Sequence, residues 1–245
     1  MQSASRPSVL LAIEASNPVH GGGVALATLD PPGGPRILAR EMLPADSPHV
    51  DTLMPAVAAA CRSAGIRPFD LSRVAVSIGP GGYTSLRTSV TAARLIAAST
   101  GAACIAVPTS LAVIRRVDAA AHARSTVIVC LAWKRHDVWR QVFAPGALEP
   151  AGPGALVPVD RLIEEAAYAG ALLVADHELV SQLRDRGLES ARISHAAPVF
   201  DPVAVAEAAA LITPVDPLHL HPLYPREPEA VSKWRSLGRA APPPA

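Results

Sequence analysis

Residues 77–87 read Ser-Ile-Gly-Pro-Gly-Gly-Tyr-Thr-Ser-Leu-Arg and are the most informative stretch of this sequence. The apolar run over 73–78 predicts a buried strand, and the small-residue run over 84–100 predicts a helix that Gly101 ends. A glycine-rich loop between a strand and a helix lets the backbone approach a ligand closely, and free amides at the helix start favour an anion. The loop lacks the Gly-Lys-Ser/Thr of a P-loop, so its spacing alone favours a structural turn at least as much as a phosphate loop.

The segments on either side of this loop predict an α/β fold. The first half has the order βββαβαβα, followed by a hairpin, and after Pro145 the sequence becomes rich in proline and glycine. The first helix is expected to begin at Ser47-Pro48 and to end at Gly65. We therefore predict a first subdomain over 8–143, a smaller second subdomain over 144–225 and a poorly ordered Pro-rich tail over 226–245.

Composition excludes several classes of protein. The chain has 245 residues, is 50% hydrophobic and carries a net charge of +1, which argues against disorder and against a broad nucleic-acid footprint of its own. Its three cysteines, Cys61, Cys104 and Cys130, match no disulfide framework or zinc site and are predicted to be buried thiols. The uncharged stretch 95–114 contains glycine, proline and hydroxyl residues and predicts a helix end, a strand and a new helix, not a membrane span. No signal peptide is evident, so a cytoplasmic location is expected.

Several motifs together resemble the bacterial TsaB (YeaZ) family. The glycine loop and its helix are similar to the family's Gly-Pro-Gly-Ser-Phe-Thr-Gly-Leu-Arg, and Leu11-Ala-Ile-Glu-Ala-Ser16 resembles its opening Leu-Ala-Ile-Asp-Thr-Ser. His49 falls where the family often has a histidine, and Pro222-Leu-Tyr-Pro-Arg226 resembles its C-terminal Pro-x-Tyr-Leu-Arg. Glu14 stands where aspartate is usual, and Gly82-Tyr83 and Ser85 replace Ser-Phe and Gly in the loop.

The resemblance implies an actin-like ATPase fold (ASKHA, ribonuclease H-like) of two subdomains, the second of them reduced. It also implies a non-catalytic subunit that pairs with a TsaD-like catalytic protein through its first two helices. A TsaE-like ATPase joins such complexes, which make threonylcarbamoyladenosine in tRNA. The resemblance therefore implies that this chain meets tRNA only through the complex, holds no cofactor of its own, and meets ATP or ADP only at the complex interface.

Two groups of residues follow from the resemblance and from the helix pattern. The expected partner interface on the two helices comprises His49, Leu53, Val57, Cys61, Ser89, Ala92, Leu95 and Ile96. The expected loop near a nucleotide or a partner comprises Glu14, Ser16, Gly79, Pro80, Gly81, Gly82, Thr84 and Arg87.

The histidines test for the metal site of the catalytic relative, which uses a His-x-x-x-His pair. The sequence has eight histidines, and no two are four residues apart. We therefore predict no metal site and no catalytic role. Two alternatives stay open: an independent ASKHA-type kinase or hydrolase that uses Glu14, and a homodimeric scaffold built on the same helix pair. A carboxylate pair of Glu14 with Asp30 is disfavoured against a strand-end cap and a turn residue.

Overall fold

The first sheet has five strands, and their sequence explains their burial. The structure, a computed structural model, describes residues 8–17, 19, 21–29, 34–44, 49–186, 194–227, 231, 233 and 234, apart from the side chains of 49–51 and 168. Strand β1 (Val9–Glu14) is apolar up to its last residue and is buried on both faces, as a central strand must be. The strands lie in the order β3-β2-β1-β4-β5 and are β1 (Val9–Glu14), β2 (Gly22–Thr28), β3 (Arg36–Leu43), β4 (Leu71–Gly79) and β5 (Ala103–Pro108).

The second sheet repeats the topology of the first, and its last three strands are shorter than their counterparts. In each sheet the first strand pairs antiparallel with the second and parallel with the fourth. The strands lie in the order β10-β9-β6-β7-β8 and are β6 (Val127–Lys134), β7 (Asp137–Phe143), β8 (Ala155–Pro158), β9 (Leu172–Val174) and β10 (His195–Ala196). The predicted actin-like fold, with two βββαβα-type halves and a reduced second half, is confirmed.

Sheet membership differs from the subdomain boundary that we predicted between 143 and 144. Strands β6 and β7 belong to the second sheet, because Val127 of β6 pairs with Leu172 of β9 across a long sequence separation. The predicted tail over 226–245 lies mostly outside the described residues.

Seven helices lie in the part of the chain that the structure describes. They are α1 (His49–Ala64), α2 (Tyr83–Thr100), α3 (Thr109–Ile114), α4 (Ala119–Arg124), α5 (Val159–Ala169), α6 (His177–Asp185) and α7 (Pro202–Ala209). The predicted start of α1 at Ser47 lies outside the described residues. Gly101, with φ 75°, ends α2 as predicted, and the Asp118 carboxylate caps α4 by accepting from the amide of Ala121. The stretch 95–114 is a helix end, a strand and a new helix, as its sequence predicts.

The sheets and helices stack in five layers. Helices α1 and α2 cover the outer face of the first sheet, where Leu11 and Ile13 of β1 point. Helices α3 and α7 fill the space between the sheets and contact Leu10 and Ala12 on the other face of β1. Helices α5 and α6 cover the outer face of the second sheet.

Two further sequence predictions can be checked here. All three cysteines are buried and free, and burial raises the pKa of the Cys130 thiol far above its ordinary value, so the prediction of buried thiols is confirmed. Within the described ranges, no helix has both the length and the apolar character needed to span a membrane.

Candidate functional site

The glycine loop 79–82 joins the C-terminal end of β4 to the start of α2. Gly79 has a φ of 111°, a conformation that favours glycine, and its peptide bond to Pro80 is cis. A Cβ at Gly79 would lie 2.9 Å from the carbonyl oxygen of Leu223 and 2.9 Å from the side chain of Leu86. Only glycine therefore fits at the point where this loop leaves the sheet.

The loop packs directly on the segment that follows β1. The Gly82 amide donates a hydrogen bond to the Ser16 carbonyl oxygen at 2.7 Å. A Cβ at Gly81 would lie only 2.2 Å from that same oxygen. Ser16, Gly81 and Gly82, which the sequence predicts near a nucleotide or a partner, therefore contact one another directly, and their backbones leave no space between them for a ligand group.

Glu14 is the last residue of β1 and lies fully buried beneath this contact. Its carboxylate accepts hydrogen bonds from the Ser16 amide at 2.8 Å, from the Ser16 hydroxyl at 2.6 Å and from the Ser77 hydroxyl. Burial raises the pKa of Glu14, and the bonds from Ser16 and Ser77 oppose that rise only in part. Glu14 is thus held as a structural carboxyl beneath the glycine loop, and Asp30 lies outside the described residues.

Arg87, one turn into α2, does not point its charge into the loop. Its Nη1 donates to the Tyr83 hydroxyl at 3.3 Å, and its guanidinium carbon lies 5.4 Å from the centre of the Tyr83 ring. The Tyr224 ring lies 5.0 Å from the same ring, centre to centre. Tyr83, Arg87 and Tyr224 therefore form one cluster at the N-terminal end of α2, beside Thr84, whose side chain is exposed.

Half of the predicted partner residues lie in the core of this chain and not on its surface. Leu53, Val57, Cys61 and Ser89 are each at most 7% exposed. Leu53, Val57 and Cys61 are spaced four residues apart and form the predicted apolar stripe of α1, but that stripe faces the first sheet. Of the remaining predictions, Ala92 and Ile96 are half-buried and Leu95 is 65% exposed, whereas the side chain of His49 lies outside the described residues.

The surface that does face outward is a groove of about 590 Å³ between α1 and α2, which we call the helix groove. Three large side chains on it are exposed: Met54 by 50%, Tyr83 by 56% and Leu95 by 65%. A second hollow of about 530 Å³ continues it along α1 and shares Met54 and Ile96. The helix groove is lined by Met54, Tyr83, Thr84, Arg87, Thr88, Thr91, Ala92, Leu95 and Ile96.

Our sequence reasoning did not select four of these lining residues: Met54, Tyr83, Thr88 and Thr91. A signal for them exists in α2, where residues 84, 88, 91 and 95 recur at helical spacing and form a second face beside the core-facing stripe. Threonines on that face hide the pattern, because they are not counted as apolar although their methyl groups pack well.

Comparison with known proteins now decides the fold family. Residues 43–137 match the model of the TsaD family, described as tRNA N6-adenosine threonylcarbamoyltransferase. A solved structure titled YeaZ from Pseudomonas aeruginosa superimposes with a TM-score of 0.68 at 18% identity, covering 89% of this chain and 99% of that one. This chain has the YeaZ fold. A second P. aeruginosa structure, of an uncharacterized protein with similarity to peptidase YeaZ, gives a TM-score of 0.69 at 20% identity and covers 89% of this chain and 100% of that one. No curated protein sequence matches the chain at a significant level.

The predicted resemblance to YeaZ is confirmed in fold by the two YeaZ-like structures, and the family-model match adds a likeness to the TsaD family over residues 43–137. The matched segment is less than half of the chain, and it contains α1, the glycine loop and α2 together. The helix groove of this YeaZ fold therefore lies entirely within the TsaD-like segment. Among the residues that the structure describes, no group of three or more histidine, cysteine or acidic side chains is arranged to bind a metal ion.

Glu14→Gln should change how the stability of this YeaZ fold depends on pH. Because the folded-state pKa lies above the ordinary value of 4.5, the stability that Glu14 contributes is full below that value and is lost as the pH rises through the folded-state pKa. Glutamine keeps an acceptor oxygen and cannot ionise. The free energy of unfolding of the variant should therefore rise relative to that of the wild type by up to about 1.4 kcal/mol per pH unit, between the ordinary and the folded-state pKa of Glu14.

Urea unfolding of both proteins, between about pH 5 and about pH 8, measures this difference. Ser77→Ala, which removes one hydroxyl donor to Glu14, serves as the comparison and should extend the loss of stability to higher pH, because the folded-state pKa of Glu14 rises further without that donor. Unfolding free energies of wild type and Glu14→Gln that run parallel over the whole range would contradict a buried, ionisable Glu14.

Proposed function

We propose that this chain is the non-catalytic, TsaB-like subunit of a complex that makes threonylcarbamoyladenosine in tRNA, and that it binds and supports a TsaD-like catalytic subunit. The observation that carries this proposal is the helix groove, an exposed apolar surface inside the segment that matches the TsaD family. Exposed apolar surface of this kind on a small protein favours a protein partner. The complex works in the cytoplasm, and a TsaE-like ATPase completes it.

The chemistry of the helix groove suits a pair of helices from such a partner. Met54 and Leu95 supply apolar contacts from opposite sides, and between them lie the small or slender side chains of Thr91 and Ala92, which let a helix approach closely. A TsaD-like protein that shares the matched segment offers equivalent helices of its own. The two pairs would pack as a four-helix bundle, with the cluster of Tyr83 and Arg87 at one end.

Two observations favour a non-catalytic role for this chain. The sequence has no pair of histidines four residues apart, which is the metal motif of the catalytic relative. The glycine loop is closed on Ser16, and Glu14 is engaged by three hydrogen bonds beneath it. This geometry favours a structural junction over an independent kinase or hydrolase site, so ATP or ADP is expected only where partners meet.

The charge of the chain supports an indirect relation to tRNA. A net charge of +1 over 245 residues gives little attraction for a phosphate backbone, which is the main source of nucleic-acid affinity. We therefore propose that the catalytic partner supplies most of the tRNA contacts.

The test is to mix the purified chain with the TsaD-like protein of the same organism and measure the complex by light scattering and calorimetry. We expect a one-to-one complex with a Kd of about 1 μM or tighter. Threonylcarbamoylation of tRNA by the TsaD-like protein should then depend on this chain. Absence of a complex, or full tRNA modification without this chain, would overturn the proposal.

The same experiment separates the homodimer alternative. The helix groove is also open to a second copy, which would cover the same residues. A chain that is dimeric alone and stays dimeric in excess TsaD-like protein would favour the scaffold, whereas exchange of the second copy for the partner would favour the proposed complex. ATP turnover by the purified chain alone, lost in Glu14→Gln, would instead favour an independent enzyme.

A further inference from the structure

The C-terminal segment 215–226, which we call the strap, crosses from the first sheet to the second. At its start the Val215 amide donates to the Cys104 carbonyl oxygen on the edge strand β5 at 2.8 Å. Leu220 then enters the first core and is fully buried there. The strap is thus anchored firmly on the side of the first sheet before it reaches the glycine loop.

The middle of the strap holds the glycine loop and the end of the helix groove. The Leu223 amide donates to the Ile78 carbonyl oxygen at 2.7 Å, and the Leu223 carbonyl lies against Gly79. The next residue, Tyr224, packs its ring on Tyr83. Burial raises the pKa of the Tyr224 hydroxyl above its ordinary value. Two consecutive strap residues therefore contact the two ends of the segment that connects β4 to α2.

The end of the strap is hydrogen-bonded to the second sheet. The register between β6 and β7 shifts between Leu131 and Lys134, and Ala132 has a φ of 51°. At this irregularity the Arg226 Nη1 donates to the Ala132 carbonyl oxygen at 2.5 Å. The same guanidinium donates from Nε to the Asp137 carboxylate at 2.8 Å and from Nη2 to the Asp137 carbonyl at 3.0 Å. A planar fork of this kind suits arginine and cannot be reproduced by lysine.

We infer that the strap is a mechanical link, in which Arg226 and Tyr224 are positioning residues that tie the hairpin β6–β7 to the glycine loop and to the Tyr83 end of the helix groove. The link is a property of the chain alone. Its effect on partner binding rests on the proposed function, because the contact of Tyr224 fixes Tyr83, which lines the helix groove.

Hydrogen–deuterium exchange of the purified chain tests the link, with Arg226→Ala as the variant. We expect amides over 78–87 to exchange about 10-fold faster or more, although the Arg226 guanidinium donates to Ala132 and Asp137 and acts on these amides through Leu223 and Tyr224. Arg226→Lys should restore protection only in part. Arg186→Ala, which breaks an arginine–aspartate pair with Asp160 elsewhere in the second half, is the matched control and should leave 78–87 unchanged.

Faster exchange confined to 132–137, with unchanged protection over 78–87, would overturn the inference. A second pair of variants tests it independently of whether Arg226→Ala folds. Tyr224→Ala removes the ring that packs on Tyr83, and Tyr224→Phe retains it. Only the alanine variant should accelerate exchange over 83–87, so equal protection in both variants would also overturn the inference.

Binding to the TsaD-like protein separates this inference from the proposed function. If the wild type binds, Arg226→Ala should bind about 10-fold more weakly and Arg186→Ala should bind as the wild type does. Unchanged binding by Arg226→Ala would show that the strap does not affect partner binding at the helix groove. If the wild type does not bind at all, the proposed function fails. The exchange experiment still tests whether the strap links the hairpin β6–β7 to the glycine loop.

Discussion

Leu95→Asp is expected to weaken binding to the TsaD-like protein by about 100-fold or more, which corresponds to about 2.7 kcal/mol. Leu95 is 65% exposed on α2 and lies in the helix groove, where a partner helix would bury it. The aspartate loses that apolar contact and brings a carboxylate into a surface that excludes water. Because the Leu95 side chain is exposed in the free chain, the free energy of unfolding of the chain alone should change by less than about 1 kcal/mol.

The matched control is Leu211→Asp, the same change at a side chain that is 77% exposed. Leu211 follows α7, which packs on the face of the first sheet opposite to α1 and α2, so this variant should bind the partner normally. Met54→Asp, across the groove from Leu95, should repeat the loss. Calorimetric titration of the three variants measures the effect, and wild-type affinity in both Leu95→Asp and Met54→Asp would exclude the helix groove as the interface.

Gly81→Ala is expected to destabilise the chain by about 3 kcal/mol or more. Its Cβ would lie 2.2 Å from the Ser16 carbonyl oxygen, and since that atom is backbone, no side-chain rotation relieves the clash. The loop must move away, which breaks the bond from the Gly82 amide to Ser16 and disturbs the two Ser16 donors to the buried Glu14. A buried carboxyl that loses donors adds its own desolvation penalty.

Thermal unfolding measures this effect, and a loss of about 3 kcal/mol corresponds to a Tm lower by about 6–12 °C in a chain of this size. Gly152→Ala is the control, because a Cβ there would meet nothing within 4 Å and its φ is not in the left-handed region. It should shift the Tm by less than about 2 °C. A Gly81→Ala protein as stable as Gly152→Ala would show that the loop and Ser16 are not packed as described.

The helix groove shows why apolar periodicity selected residues of α1 that face the core and not the surface. The stripe of Leu53, Val57 and Cys61 was correctly identified as apolar and helical, yet apolar periodicity marks whichever face is buried and does not say by what. In this chain the first sheet buries it. The outward face of α2 contains threonines with Leu95, and only the packing of α1 beside it turns that face into a groove.

Local sequence patterns are sufficient to predict the secondary-structure elements and the type of fold. Its turn residues and periodicities predict the strand, glycine loop and helix over 73–100, and the break of 95–114 into three elements. These depend on contacts between residues near in sequence, which local chemistry specifies.

The contacts between distant segments depend on the packing of the whole chain. The hairpin β6–β7 joins the second sheet through pairing with β9, the buried Glu14 accepts a hydrogen bond from the Ser77 hydroxyl 63 residues away, and Arg226 reaches Asp137 across 89 residues. Each depends on how two sheets and their helices stack, and the energy of such packing is shared among residues that no local pattern connects. The glycine loop depends on both local sequence and tertiary packing. Its backbone conformation follows from its glycines, and its contacts with Ser16 and the strap follow from the packing of distant segments.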